Sequence, residues 1–422
     1  MDPQGGCVAA KQRRVVITGL GTVNPIGFNV SQFWENLVKG KSGARKAQNM
    51  DLSDFHVQIA AEIDLPDVRD YFTQRKMARR LDRHIILGHI AGYQAIKDAG
   101  MDNYQEPHRV GVLVGTGDGG LITQYQQINR MAKSGLSSVS PFYVSSVIPN
   151  STSAMISMEF GFTGPSFSVN SACASSNHAL GTAYNMIATG MVDAMVTGGT
   201  EAVATEPSMA GFGQIGALSS RNDDPETASR PFDKSRDGFV MGEGAGVLFL
   251  EELEHAKKRG AHIYAEISGF GFTSDAYDLV APHPDGIGAS KAIELAVEMA
   301  ELNYEQLDFI NCHGTSTPIG DKAECQAVNR AMGADLASSI PVNSTKSMTG
   351  HLIGAASAVE AVAGILSFEQ GVIHHTINQF ELDDEINYNV IKEPMEKKAD
   401  HFLSNAFGFG GQNACVVFSR YS

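Results

Sequence analysis

Apolar positions fall into two kinds of short run that alternate along the chain. Pro165-Ser166-Phe167-Ser168-Val169, Leu307-Asp308-Phe309-Ile310-Asn311 and Ala414-Cys415-Val416-Val417-Phe418 are brief stretches of strand length. Ala179-Leu180-Gly181-Thr182-Ala183-Tyr184-Asn185-Met186-Ile187-Ala188 spaces its apolar residues on one helical face. Leu352-Ile353-Gly354-Ala355-Ala356-Ser357-Ala358-Val359-Glu360 reads as another helix. This alternation predicts an α/β protein with mostly parallel sheets covered by helices. No apolar run reaches the length of a membrane span, so no membrane partner is expected.

Three landmarks recur in the same order. Arg14-Val15-Val16-Ile17-Thr18-Gly19-Leu20-Gly21 resembles Ala265-Glu266-Ile267-Ser268-Gly269-Phe270-Gly271. The strand Arg109–Gly117 has a counterpart in Leu307–Thr315. Val169-Asn170-Ser171 and Val342-Asn343-Ser344 are each followed nine residues on by histidine and twelve on by glycine. A tail (1-13) and two related halves, 14-262 and 263-422, are therefore expected. In this register Cys173 falls opposite Lys346 and His178 opposite His351. If the halves pack face to face, both turns converge on one pocket.

Composition narrows the possible functions. The 422 residues are 43% hydrophobic and can bury a large core. Thirty-two basic and 47 acidic residues leave a net charge of −15, a poor field for nucleic acid. Five scattered cysteines, with no C-x-x-C, fit a reducing compartment and argue against a disulfide framework or a zinc site. Met1-Asp2-Pro3-Gln4-Gly5-Gly6-Cys7 lacks the apolar core of a secretory signal. A cytoplasmic protein is expected, or a plastid or other organellar one if a targeting segment has been removed.

Four segments carry candidate chemistry. Cys173 lies where the strand before it ends and the helix after it begins. Helix N–H groups and the helix dipole there favour thiolate, the nucleophilic form. A buried, inert cysteine fits the segment equally well. Asn311-Cys312-His313-Gly314-Thr315-Ser316-Thr317 follows a strand, and its hydroxyls can hold an extended ligand. His351 opens a helix, where a neutral imidazole is favoured and can donate a hydrogen bond. Taken singly, each histidine fits a structural role as well. Lys346, read alone, is a surface lysine. Ala406-Phe407-Gly408-Phe409-Gly410-Gly411 sets two aromatics among three glycines, able to close over a site or simply to bend before the last strand. Gly115-Thr116-Gly117-Asp118-Gly119-Gly120 has the dinucleotide spacing but no acidic residue follows between Leu121 and Met158. It reads as a turn of close backbone approach. Gln74-Arg75-Lys76-Met77-Ala78-Arg79-Arg80 is a basic patch or a solvated helix face.

Together these motifs resemble the β-ketoacyl-[acyl carrier protein] synthases, and most nearly the type II synthases of dissociated fatty-acid synthesis. The similarity runs from about Arg14 to the C-terminus. It includes Ser229-Arg230-Pro231-Phe232-Asp233-Lys234 and Arg236-Asp237-Gly238-Phe239-Val240-Met241-Gly242-Glu243-Gly244. The resemblance implies a duplicated thiolase-like fold, five-layered αβαβα, in a homodimer. It implies a decarboxylative Claisen condensation of a carrier-bound acyl chain with malonyl-[acyl carrier protein]. No cofactor or metal is needed, since phosphopantetheine arrives on the acyl carrier protein.

The family pattern makes Cys173 the nucleophile, with His313, His351 and Lys346 completing the catalytic set. Asp321 and Glu324 match supporting acids, and Glu324 is expected to pair with Lys346. Thr315 and Thr317 match hydroxyls that hold the phosphopantetheine arm. Phe407, Phe409 and Phe212 match aromatics of the substrate site. Lys76, Arg79 and Arg80 match a docking patch for the carrier. Ser137, Ser138 and Gly216 stand where the family carries basic docking residues. Asp118 replaces an apolar residue of the acyl pocket, and Asp278 a frequent histidine. A polyketide-type ketosynthase with the same chemistry is the near alternative. A non-catalytic partner subunit and a thiol hydrolase are more distant ones.

Overall fold

The computed structural model describes residues 13–421. Residues 1–12, with Cys7 and nearly all of the expected tail, lie outside the described residues. Eleven strands make one continuous sheet. In chain order they are β1 (Val15–Val23), β2 (Val110–Gly115), β3 (Ser166–Phe167), β4 (Ala194–Glu201), β5 (Gly244–Glu252) and β6 (Ala265–Ser274). Then come β7 (Phe309–Asn311), β8 (Pro341–Asn343), β9 (Asn389–Val390), β10 (His401–Gly408) and β11 (Gln412–Ser419). Their spatial order is β9-β8-β7-β10-β11-β6-β1-β5-β4-β2-β3.

That order exposes the duplication. Outward from the centre, each half runs first, fifth, fourth, second and third strand of its own set, and β9 extends one edge. Within the sheet, β1 and β6 join the halves through two residue pairs, Val16 with Glu266 and Ile17 with Ala265. The expected mostly parallel arrangement does not hold. The outer pairs are parallel. The inner ones, β4 with β5, β5 with β1, β1 with β6, β6 with β11 and β11 with β10, are antiparallel. The physical reason is plainest at β10 and β11. Phe409-Gly410-Gly411 joins them directly, and a connection that short permits only antiparallel neighbours.

The principal helices are α1 (Arg83–Asp98), α2 (Ser175–Ala188), α3 (Ile287–Met299), α4 (Pro318–Met332) and α5 (Ala356–Gln370). α2 and α5 touch both halves and fill the middle layer. α1 covers the outer face of the first half; α3, with α4 beside it, covers the second. The result is the five-layered αβαβα fold. α5 is buried from Ala356 through Phe368, and its Ala, Gly and Val residues suit a helix packed on all sides. Glu360 is the one acid in that buried stretch; Glu369 lies at the exposed end of the helix.

The first landmark has a packing cause. A Cβ added at Gly19 or Gly21 would lie 2.1 or 2.0 Å from the carbonyl oxygen of Ala95 or Ala91 in α1. At Gly269 and Gly271 it would lie 2.2 and 2.0 Å from those of Ala296 and Ala292 in α3. Both glycine pairs let an alanine-faced helix lie directly on the strand.

The third landmark, the sharpest by spacing, is out of register in the fold. The true counterparts are the turns that lead into α2 and α5. Ala172 and Ile353 have φ of 49° and 46°, and each begins a single 3-10 turn, Ala172–Ala174 and Ile353–Ala355. Ser176 Oγ donates to the Gly354 carbonyl, so the two turns are bonded across the pseudo-axis. Cys173 therefore lies opposite Gly354, not Lys346. Lys346 and His351 occupy an insertion ahead of the second turn, partly wound as the short helix Lys346–Thr349. The expected convergence of the turns holds; their expected alignment does not.

Candidate active site

The second residue of the first of these turns is Cys173, buried but open to a cavity of roughly 290 Å³. His351 Nε2 lies 3.1 Å from Cys173 Sγ. The His313 and His351 rings stand nearly perpendicular, with centroids 5.4 Å apart. Phe239 meets His351 edge to face at 5.1 Å. His313, His351, Thr315, Thr317, Phe212, Phe407 and Phe409 all line the same cavity. One space thus holds a thiol, two imidazoles and a pair of hydroxyls.

Each group is set by its local backbone. The His313 loop contains Gly314 and Ser316 at φ of 34° and 70°, so it needs external support. Glu324, from α4, supplies it: its two oxygens accept the His313 and Gly314 N–H groups, both at 2.8 Å. Asn405 on β10 donates to the same carboxylate at 3.1 Å. Asp321, one turn earlier in α4, accepts from Ser316 N at 3.0 Å and Phe232 N at 2.8 Å. Burial pushes its carboxyl up to about 7, against the pull of Arg236. Thr317 caps α4 and lies 3.0 Å, oxygen to oxygen, from Thr315. Both residues line the cavity.

The expected Lys346–Glu324 pair is not formed. Lys346 Nζ bonds Glu360 Oε1 at 2.5 Å, with the two side chains only 1% and 2% exposed. The reason is direction: Glu324 is consumed by the backbone of the His313 loop, while Glu360 points from α5 at the inserted helix. Lys346 is thus a buried charge rather than a surface lysine. Its partner had a legible signal, an acid set within the small and apolar run Ala356–Phe368.

Electrostatics correct one further expectation. Burial pushes the Cys173 thiol up to about 12; Lys346 and the Phe409 N–H, which donates to the sulfur, pull it down without overcoming burial. Burial thus works against the thiolate that the helix N-terminus was expected to favour. Burial, reinforced by Lys346, holds both His313 and His351 well below the ordinary imidazole range. Both are neutral near pH 7, as expected for His351. Glu201, which the sequence did not single out, lies beneath the turns. Its carboxylate accepts from Gly117 N at 2.6 Å, Thr116 Oγ1 at 3.0 Å and Gly354 N at 3.0 Å, tying the glycine-rich turn to the second 3-10 turn.

The gate segment touches the nucleophile. A Cβ added at Gly408 would lie 3.1 Å from Cys173 N and 2.8 Å from Ser171 O. Glycine there leaves the Cys173 N–H free to meet a developing oxyanion, beside the Phe409 N–H. Phe409 packs on Phe212 with ring centroids 5.8 Å apart.

Other expected residues lie elsewhere. Asp118 does not line this cavity and is exposed on the single chain. Lys76, Arg79 and Arg80 are exposed around a single 3-10 turn, and Arg80 lies 4.8 Å over the Phe142 ring. None of the three lines the cavity. Ser137 is exposed on another short turn, with Ser138 beside it, whereas Gly216 borders the cavity itself. Cys312, Cys325 and Cys415 are buried and free. Among the described residues, no group of three or more His, Cys, Asp or Glu is placed to hold a metal, and no helix is long and apolar enough to cross a membrane.

A duplicated αβαβα core with a Cys–His–His cavity at its pseudo-axis defines a condensing-enzyme architecture. The chain belongs to the beta-ketoacyl synthases: the family's N-terminal domain matches residues 12–256 and its C-terminal domain 264–380. It is 42% identical over 411 residues to 3-oxoacyl-[acyl-carrier-protein] synthase 2 of Vibrio harveyi, covering 97% of this chain and 99% of the relative. The Staphylococcus aureus protein of the same name is 41% identical over 414 residues, covering 98% and 99%. Among solved structures, a beta-ketoacyl synthase from Burkholderia phymatum superposes with a TM-score of 0.89 at 35% identity, covering 97% of this chain and all of that one. The ishigamide ketosynthase/chain length factor gives 0.90 at 31%, with the same coverage.

Proposed function

We propose that this chain is a 3-oxoacyl-[acyl-carrier-protein] synthase of fatty-acid elongation, with Cys173 as nucleophile and His313, His351 and Lys346 as its catalytic partners. The observation that carries the reading is Cys173 Sγ at 3.1 Å from His351 Nε2, with His313 alongside in one cavity. Cys173 attacks the carbonyl of an acyl thioester borne by an acyl carrier protein. The thiol proton ends on the departing pantetheine sulfur, leaving acyl-Cys173. Malonyl thioester enters next. Its C–C bond breaks, CO₂ leaves, and the bonding pair becomes an enolate whose oxygen accepts hydrogen bonds from the two neutral imidazoles. The enolate carbon attacks acyl-Cys173, and the Cys173 and Phe409 N–H groups receive the tetrahedral oxyanion. Collapse expels the Cys173 thiolate, which takes up one proton. The product is a 3-oxoacyl thioester two carbons longer. Every step uses side chains and backbone of this chain, and the only prosthetic arm is the carrier's phosphopantetheine, held by Thr315 and Thr317.

Partners and location follow as part of the same reading. The ketosynthase AntDE, 31% identical to this chain, has been solved in complex with its acyl-carrier protein, AntF. The carrier proposed here is steered by Lys76, Arg79 and Arg80, against an overall charge of −15. A homodimer is supported by the open edge of β3 and by exposed Leu136, Val144 and Met158 on the same half. Four buried free cysteines suit a reducing cytoplasm or organelle interior. The polyketide-type alternative keeps one support, the likeness to ketosynthases of that kind at 31% identity. Full-length relatives at 41–42% favour fatty-acid elongation.

Incubating the protein with acyl-carrier and malonyl-carrier, and following CO₂ and product by mass, tests the function. A condensing enzyme yields CO₂ and a 3-oxoacyl carrier in equal amounts. Free acid in place of that product indicates a hydrolase, and no reaction a non-catalytic subunit; either result overturns the proposal.

A further inference from the structure

β4 ends in Gly198-Gly199-Thr200-Glu201, a segment to which the proposed mechanism gives no part. Glu201 is fully buried. Its Oε2 accepts from Gly117 N at 2.6 Å and Gly354 N at 3.0 Å. Its Oε1 meets Thr116 Oγ1 at 3.0 Å and, more distantly, Asp118 N at 3.4 Å. These partners are backbone N–H groups and one hydroxyl, and none of them is a cation. Burial pushes the carboxyl up to about 8. What Glu201 contributes near pH 7 is therefore its reach rather than its charge.

The peptide units that Glu201 holds are bonded in turn to residues flanking Cys173. The Gly117 carbonyl accepts from Asn170 Nδ2 at 2.6 Å. The Ser175 hydroxyl, which accepts from Ser171 N at 2.9 Å, is shared between the carbonyls of Ala172 at 2.7 Å and Thr116 at 3.2 Å. The Gly354 carbonyl accepts from Ser176 Oγ. Close approach makes this web possible. A Cβ added at Gly199 would lie 2.0 Å from Ser176 Oγ, and one at Gly354 would lie 2.4 Å from Gly117 N and 2.7 Å from Glu201 Oε2. The web has strain to hold. Ala172 and Ile353, at φ of 49° and 46°, put both 3-10 turns into a region where a residue with a side chain persists only under support from its surroundings.

We propose that Glu201 is a positioning residue for the nucleophile: by bracing the glycine-rich turn against the second 3-10 turn it fixes the strained turn of Cys173, and with it the Cys173 N–H that meets the oxyanion. The inference rests on the proposed function, because an oxyanion donor matters only if Cys173 carries the acyl group. A displaced donor meets the tetrahedral oxygen poorly, whereas a reaction of the sulfur alone needs no such donor.

The test compares the full chain with Glu201→Gln and Glu201→Asp. Glutamine keeps the length, keeps an oxygen for Gly117 N and Gly354 N, and can donate to Thr116 Oγ1. Aspartate keeps the acid but is shorter by one methylene, about 1.5 Å, and cannot reach both turns. Condensation gives kcat and the KM for acyl-carrier, and iodoacetamide at pH 7 reports the reactivity of the Cys173 sulfur. The proposal predicts that Glu201→Asp lowers kcat on the order of tenfold or more, with KM unchanged and alkylation within about threefold of the parent. Glu201→Gln should stay within about threefold of the parent in all three. An equal loss of kcat in both variants would assign the effect to charge, and parental kcat in folded Glu201→Asp would leave Glu201 no part in positioning. Parallel loss of condensation and alkylation would mean a collapsed cavity. Each of these results overturns the proposal. Should Glu201→Asp fail to fold, Ser176→Ala cuts the same brace at its other end: lowered kcat with unchanged KM and alkylation supports the proposal, and parental kcat overturns it. If the unsubstituted protein forms no acyl-Cys173, the proposed function itself fails, and the brace with it.

Discussion

Replacing Lys346 by Met removes a charge from the most buried ion pair of the site and leaves Glu360 facing an apolar layer. Two outcomes compete for the stranded carboxylate. Kept ionised, it costs about 3–5 kcal/mol, the usual penalty for breaking a buried pair. Protonated, it costs only the free energy of titrating an ordinary glutamate of pKa about 4.3, roughly 3.7 kcal/mol at pH 7. Burial already raises the Glu360 carboxyl, so protonation is the route taken. The destabilisation is thus about 3–4 kcal/mol at pH 7 and falls toward about 1 kcal/mol at pH 5, where the proton is nearly free. The sign follows from which state binds the proton: the folded variant takes one that its unfolded chain, at pH 7, does not. Lys346→Met/Glu360→Met removes both charges and should recover most of the loss. Urea unfolding at the two pH values measures this, and a double-mutant cycle assigns the partner. Coupling should be large with Glu360 and small with Glu324→Gln, which loosens the His313 loop instead. A loss independent of pH, or stronger coupling to Glu324, would refute the reasoning.

His313→Ala and His351→Ala should each slow malonyl decarboxylation on the order of a hundredfold or more while sparing acylation far better; normal decarboxylation with blocked acylation would reverse the roles. Because burial keeps both imidazoles neutral, decarboxylation should run flat from pH 8 down through 6, with no limb near 6.5. In the unliganded enzyme, alkylation of Cys173 should climb about tenfold per pH unit through pH 9, since thiolate is the reactive form and its thiol stands at about 12; a plateau near pH 7 would contradict the burial argument. Gly408→Ala sets a methyl group 3.1 Å from Cys173 N and should lower kcat on the order of a hundredfold, with far less effect on carrier KM. Arg79→Glu/Arg80→Glu should raise carrier KM and weaken its salt dependence, and unchanged low-salt kinetics would place docking elsewhere.

Much of this site was legible in the chain because its signals are local. A cysteine between a strand and a helix, a histidine among small hydroxyl residues, and aromatics between glycines each keep their meaning wherever the fold carries them. The repeat was legible in Gly19-Leu20-Gly21 and Gly269-Phe270-Gly271, because close helix packing demands glycine at those places in both halves. What failed were inferences about register and pairing. Matching Asn-Ser, His and Gly spacings suggested that Cys173 faces Lys346, yet eight more residues separate Ser344 from Ile353 than separate Ser171 from Ala172. Spacing could not reveal an insertion that itself carries two functional residues. The Lys346–Glu360 pair and the Glu201 tie depend on which way buried side chains point across the pseudo-axis. The antiparallel centre depends on strands that are neighbours in space but, except for β10 and β11, not joined by a short turn. The thiolate expectation took account of the helix terminus and omitted burial.

The account stands on Cys173 as the residue that carries the acyl group. Its most direct test is to incubate the protein with acyl-carrier in the absence of malonyl-carrier, digest it, and locate the added acyl mass by peptide mapping. The predicted result is one acyl group per chain on the peptide containing Cys173, none on Cys312, Cys325 or Cys415, and none at all in folded Cys173→Ala, which also makes no 3-oxoacyl product. An acyl group on a different residue, or normal condensation by folded Cys173→Ala, would contradict it.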